Sequence, residues 1–154
     1  MTIDETPTWI DNSSKLTGDN FRKIFIFAVI NFPVPKKSAR AIPLSKDVAM
    51  PIKSKNVENA SEMEKKLKEK NLMEFPPTGD YEERAVFVKS QKTVVLSFID
   101  HIRNSIAHGR FNIIRNGKED VLVIEDMNRS KECSARIVVK VSTLVKWIDG
   151  IRAR

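Results

Sequence analysis

Arg103, Asn104 and His108 stand together in the run Arg-Asn-Ser-Ile-Ala-His-Gly-Arg-Phe, residues 103–111. Each type fits one part of a phosphodiester reaction. Histidine moves protons near neutral pH. An arginine guanidinium binds phosphate through two N–H groups and stabilises the extra charge on a pentavalent phosphorus. Asparagine can orient the imidazole or the phosphate. RNA carries its own nucleophile, the 2′-hydroxyl, so a protein that cuts it needs only an acid–base group and a cationic clamp. Such a kit needs no metal and no cofactor.

The spacing places these residues on a helix end. At about 100° per residue, His101, Asn104 and His108 form a polar stripe with Ser97 and Ser105 beside it. Arg103 lies about 140° from His108 on an ideal helix. For the two to act together, the arginine must curl round, the last turn must distort, or both must meet something as long as an RNA backbone.

Other chemistries lack their residues. His101 and His108 are separated by about 10 Å along a helix, too far to share one zinc easily, and the i,i+4 histidine pair of helical zinc sites is missing. Cys133 is the single cysteine and has no glycine elbow beside it. There is no Gly-x-Ser-x-Gly, no Walker loop and no Gly-x-Gly-x-x-Gly.

The elements that must position the kit follow from the pattern. Residues 1–17 read as a loose lead-in that Trp9 and Ile10 tack to the body. Residues 18–32 read as a short buried helix, with Phe21, Ile24, Phe25, Ala28 and Phe32 at helical spacing. Prolines 33, 35, 43 and 51 make residues 33–56 a basic loop or extended segment. Residues 56–75 predict a helix with a thin apolar face of Val57, Met63, Leu67 and Leu72. Residues 80–109 predict the longest helix, opened by Asp80, striped by Val88, Val95, Ile99, Ile102 and Ile106, and stopped by Gly109. Asn116-Gly117 marks a β-hairpin. Residues 134–141 extend its second strand or form a third. An amphipathic helix with Leu144, Trp147, Ile148 and Ile151 on one side closes the chain. The expected architecture is mainly α: one domain over residues 1–154, a helical bundle with a small β-hairpin between its last two helices.

Composition sets the outer bounds. The 154 residues carry a net charge of +7, with a pI of about 9.6. This favours a polyanionic partner without establishing one. A lone cysteine and an acidic, polar start fit a cytoplasmic protein. The apolar run Ile24–Phe32 is far short of the roughly 20 residues that span a bilayer, so no membrane association is expected.

The residues Arg103-Asn104-Ser105-Ile106-Ala107-His108, with a small residue before the histidine and glycine after it, resemble the R-x4-6-H signature of HEPN domains. The likeness is specific over roughly residues 85–115, and residues 1–80 carry no matching motif. It implies an α-helical bundle that dimerises, and in many members a metal-independent endoribonuclease whose Arg and His from two chains form one composite cleft. Prokaryotic defence and toxin–antitoxin proteins carry such domains, which would make the partners here RNA, a second copy, and a cognate antitoxin or defence protein. By this likeness Arg103, Asn104 and His108 are the catalytic set. Arg110, Arg115 and Lys118 follow the motif as cations that could guide RNA, or as a solvated hairpin face. The contrasting reading is a non-catalytic HEPN module that binds a protein or nucleic acid. A plainer structural reading has Asn104 and His108 cap or satisfy buried backbone at the helix end, while Arg103 pairs with an acid such as Asp100 or Glu83. His101 reads as an interface or surface residue.

Overall fold

The computed structural model describes residues 19–31 and 48–152. The lead-in over 1–17, with Trp9 and Ile10, and residues 33–47 of the basic loop lie outside the described residues. In chain order the elements are α1 (Asp19–Phe25), running on as a π-helical turn (Ile26–Asn31), β1 (Ser54–Val57), α2 (Met63–Glu69), β2 (Arg84–Val88), α3 (Val94–Ala107), β3 (Phe111–Asn116), β4 (Glu119–Met127), β5 (Cys133–Lys140) and α4 (Val141–Arg152).

The five strands form one mixed sheet in the order β1-β2-β5-β4-β3, with β1 parallel to β2 and the other neighbours antiparallel. This corrects the expectation of a mainly α helical bundle. The fold is mixed α/β, and a three-stranded β3–β4–β5 meander, not a lone hairpin, separates α3 from α4.

The sheet is covered on both faces. On one, α1, α3 and α4 bury Ile24, Phe98, Ile99, Ile102, Leu144 and Ile148 against strand residues such as Phe87, Ile124 and Ile137. On the other, α2 places Met63 and Leu67 over Val86, Val121, Val123 and Val138. Each fully buried aliphatic or aromatic side chain contributes about 1.5–3 kcal/mol. Double coverage explains why β5 is buried from Cys133 to Val139, Ser134 and Arg136 included.

Two of the expected helices are each part strand. Residues 56–75 hold the end of β1 and only a seven-residue α2. Residues 80–109 hold β2 and then α3, with Val88 at a strand end and not on the helix. Asp80 opens no helix; its side chain accepts from the Glu82 N–H at 3.2 Å. The break falls at Ser90-Gln91-Lys92-Thr93. Thr93 is extended, and its hydroxyl accepts from the Leu96 N–H at 3.1 Å, an N-cap. Ser97 fixes the loop from inside. Its Oγ accepts from the Ser90 and Gln91 N–H groups, both at 3.0 Å, and donates to the Thr93 carbonyl at 2.9 Å.

Other expectations hold. The first helix is buried through Phe21 and Ile24. The hairpin is present, with Asn116 paired to Glu119 and a two-residue loop of Gly117-Lys118. Gly117 has φ 64°, the positive first-position angle of a type II′ turn. Residues 133–140 form the third strand, and α4 buries Leu144, Ile148 and Ile151. Among the described residues no helix is long and apolar enough to cross a membrane.

Candidate functional site

The motif lies on the last turns of α3, and the helix stops where the sequence says it should. His108 is the C-cap. Gly109 follows with φ 71°, the left-handed angle glycine adopts without a Cβ clash. The Gly109 N–H reaches the Ile106 carbonyl at 3.2 Å, and the Arg110 N–H reaches the Ser105 carbonyl at 2.8 Å. These two bonds make the Schellman motif, which turns the chain straight into β3. A Cβ at Gly109 would meet nothing within 4 Å, so Gly109→Ala tests the backbone angle alone. It is expected to cost about 1 kcal/mol net, the left-handed penalty less the entropy removed from the unfolded chain. The check is a lower urea midpoint at unchanged m-value.

All three candidate catalytic residues reach solvent at this end of α3. His108 is exposed; Arg103 and Asn104 are half-buried. The Arg103 Nη1 donates to Asn104 Oδ1 at 3.0 Å. The carboxylates considered as partners are engaged elsewhere. Asp100 Oδ2 accepts from Ser90 Oγ at 2.8 Å and Gln91 Nε2 at 3.4 Å, and Glu83 Oε2 accepts from the Lys140 N–H at 3.0 Å. Among the described residues Arg103 makes no ion pair, and its buried Nε has no partner. A guanidinium with no carboxylate neutralising it among the described residues retains its charge for an incoming anion.

His101, one turn earlier, is not at the surface. It is buried, with Nδ1 2.8 Å from Asp126 Oδ2 and Nε2 2.6 Å from the Val88 carbonyl. His101 thus ties α3 to the end of β2 and to β4, and is closed off from any substrate.

The cations after the motif divide. Arg110 is 4% exposed and held by Glu125. It is not placed to guide RNA. Arg115 is exposed and pairs with Asp120 at 3.1 Å; Lys118 is exposed at the hairpin tip. The six residues of β3 put that tip about 20 Å beyond its start, so it can meet RNA only well away from the helix end.

The reading of the sequence missed the acids of β4. Consecutive strand residues face opposite sides. Asp126 therefore meets His101 on the α3 face, while Glu125 meets Arg110 and Arg136 on the α2 face. Two acids ending the apolar run Val121–Ile124 were the available signal, since buried carboxylates require cationic partners.

Cys133 is no nucleophile. It is buried, and burial pushes its thiol up to about 12 despite the opposing pull of Arg136. About one molecule in ten thousand would carry the thiolate at pH 8. Native protein is expected to resist iodoacetamide at that pH and to be alkylated fully in denaturant, read by mass. Among the described residues no three of His, Cys, Asp and Glu converge as a metal site requires.

Comparison with known proteins bears on the whole chain. A model of the family described as HEPN pEK499 p136 matches residues 8–153. No curated protein and no solved structure matches.

Proposed function

The chain belongs to the HEPN pEK499 p136 family, and on that premise we propose that it is a metal-independent endoribonuclease acting at the end of α3. The observation that carries this reading is Arg103, hydrogen-bonded to Asn104 on the same helix end as the exposed His108 and free of any ion pair among the described residues. HEPN domains are often ribonucleases.

In the proposed reaction the RNA 2′-oxygen attacks the adjacent phosphorus, and the bond to the 5′-oxygen breaks. The products are a 2′,3′-cyclic phosphate and a 5′-hydroxyl. One group takes the 2′-hydroxyl proton and another supplies a proton to the 5′-oxygen. His108 performs one of these transfers. Arg103 holds the phosphate oxygens as charge builds on them, and Asn104 fixes the guanidinium through its amide oxygen. Each chain offers one exposed histidine at the motif, so the second transfer falls to His108 of a second copy in a composite homodimer cleft. Control of such an activity by a cognate antitoxin or defence partner belongs to the same reading, as does a role as toxin or phage-defence effector.

The test is incubation of a mixed RNA pool with the protein in EDTA, followed by analysis of the product ends. Cleavage with 2′,3′-cyclic ends is the expected result. Intact RNA from folded dimeric protein, with and without its genomic neighbours' products, defeats the reading.

One observation favours the alternative, a non-catalytic binding module. Ile99, Ile102 and Ile106 are buried in the chain's own core. The apolar stripe of α3 is therefore not available as a seam for a second copy, and a composite cleft has to form through other surfaces.

A further inference from the structure

We infer that Arg110 is the positioning residue of the helix end: through Glu125 it holds the turn that presents His108. The inference rests on the reading of His108 as the acid–base group. Arg110 follows Gly109 directly and is bound twice to the same β4 residue. Its carbonyl accepts from the Glu125 N–H at 3.2 Å, and its Nη2 donates to Glu125 Oε1 at 2.6 Å. Glu125 is held in turn. Arg136 of β5 donates to its Oε2 from Nε at 2.9 Å, with Nη2 at 2.8 Å.

Arg136 is itself fixed on the same face by the segment after α2. Its Nη1 donates to the Leu72 carbonyl at 2.9 Å and the Met73 carbonyl at 2.7 Å, and its guanidinium carbon lies 5.2 Å from the centre of the Phe75 ring. All three charged side chains are buried. A continuous series of short contacts thus runs from the segment after α2, along the α2 face of the sheet, to the residue two places after His108.

The geometry gives this side chain a role. A Schellman turn alone fixes the backbone through two hydrogen bonds. Its first residue past the glycine needs a further anchor if the exposed cap residue is to keep one orientation against solvent. The Arg110 side chain supplies that anchor through one N–H, from Nη2, to a carboxylate that Arg136 already holds through both Nε and Nη2. A displacement of about 1 Å at a reacting group can cost about 10²-fold in rate.

The test compares wild type with Arg110→Ala and Arg110→Lys, using two readouts. The first is RNA cleavage resolved into kcat and KM over a salt series. The second is the His108 imidazole resonance, assigned by its loss in His108→Ala and easily read because the chain has two histidines. Arg110→Ala is expected to lower kcat about 10- to 100-fold, with KM changed less than about twofold and the salt dependence unaltered. The His108 resonance should shift or broaden, and Arg110→Lys should fall between the two. An unmoved His108 resonance, with a raised KM and a flatter salt dependence, would make Arg110 an RNA contact and overturn the inference. Should the alanine variant not fold, the lysine variant decides by the same resonance: shifted supports, unmoved overturns. If wild type cuts no RNA, the proposed activity is lost, while the resonance still tests whether Arg110 positions His108.

Discussion

Replacing His108 by alanine is expected to lower RNA cleavage in EDTA about 10²–10⁴-fold, the span of a lost acid–base group. It should leave the melting temperature within about 2 °C, as surface substitutions do. The two effects separate because the imidazole and the backbone of His108 do different work. The side chain is exposed. The N–H that closes the helix, bonded to the Asn104 carbonyl at 3.0 Å, survives the substitution. Arg103→Lys sharpens the result. It keeps the positive charge but loses the planar fork that binds a phosphate through two N–H groups. Activity between that of wild type and Arg103→Ala is the expected outcome. Cleavage by folded His108→Ala at the wild-type rate would remove this helix end from the reaction.

The candidate site stands out in the sequence because its signals are local. Arg103, Asn104 and His108 fall within six residues, and Gly109 ends the helix by its own backbone freedom. The fold was legible only where the pattern was local too. Asn116-Gly117 gave the hairpin, although the structure makes Asn116 the last strand residue and puts the turn one place later. β2 was hidden because Arg84–Val88 is buried almost throughout. A short strand covered on both faces has no alternation to distinguish it from helix, and its valines continued the apolar series of α3. β1 was hidden for a different reason. It pairs in parallel with β2, each residue with one 31 places on, a non-local contact that no period in residues 54–57 announces. The family match reaches over residues 8–153, well beyond the motif that carries the likeness, but the helical bundle that the likeness implies is not the architecture around the motif. Arg110 shows the same limit at one residue. As a cation after a catalytic motif it reads as an RNA contact, and only the sheet reveals the carboxylate waiting for it.

Glu125→Ala should be among the most destabilising single substitutions in the chain, costing about 3–5 kcal/mol. Glu125 is 2% exposed and carries the counter-charge for both Arg110 and Arg136. Without it Arg136 keeps its two carbonyls and the Phe75 ring, but Arg110 loses its side-chain partner and stays buried with an Nε already unpaired among the described residues. Domains of this kind have about 5–15 kcal/mol in total, so urea unfolding should show a large fall in midpoint. The cost comes from stranding two charges, not from the net worth of the ion pairs, because desolvating three ionised groups opposes their attraction. The triple variant Arg110→Met, Glu125→Leu, Arg136→Met tests this directly. With no charge left to strand, it is expected to unfold within about 1 kcal/mol of wild type or above it, as apolar replacement of buried ionic groups often does. It should nevertheless lose the directional hold on the turn after His108 and cleave RNA more slowly. A triple variant as unstable as Glu125→Ala would show instead that the network contributes net stability. One as active as wild type would show that the helix end needs no anchor beyond its own turn.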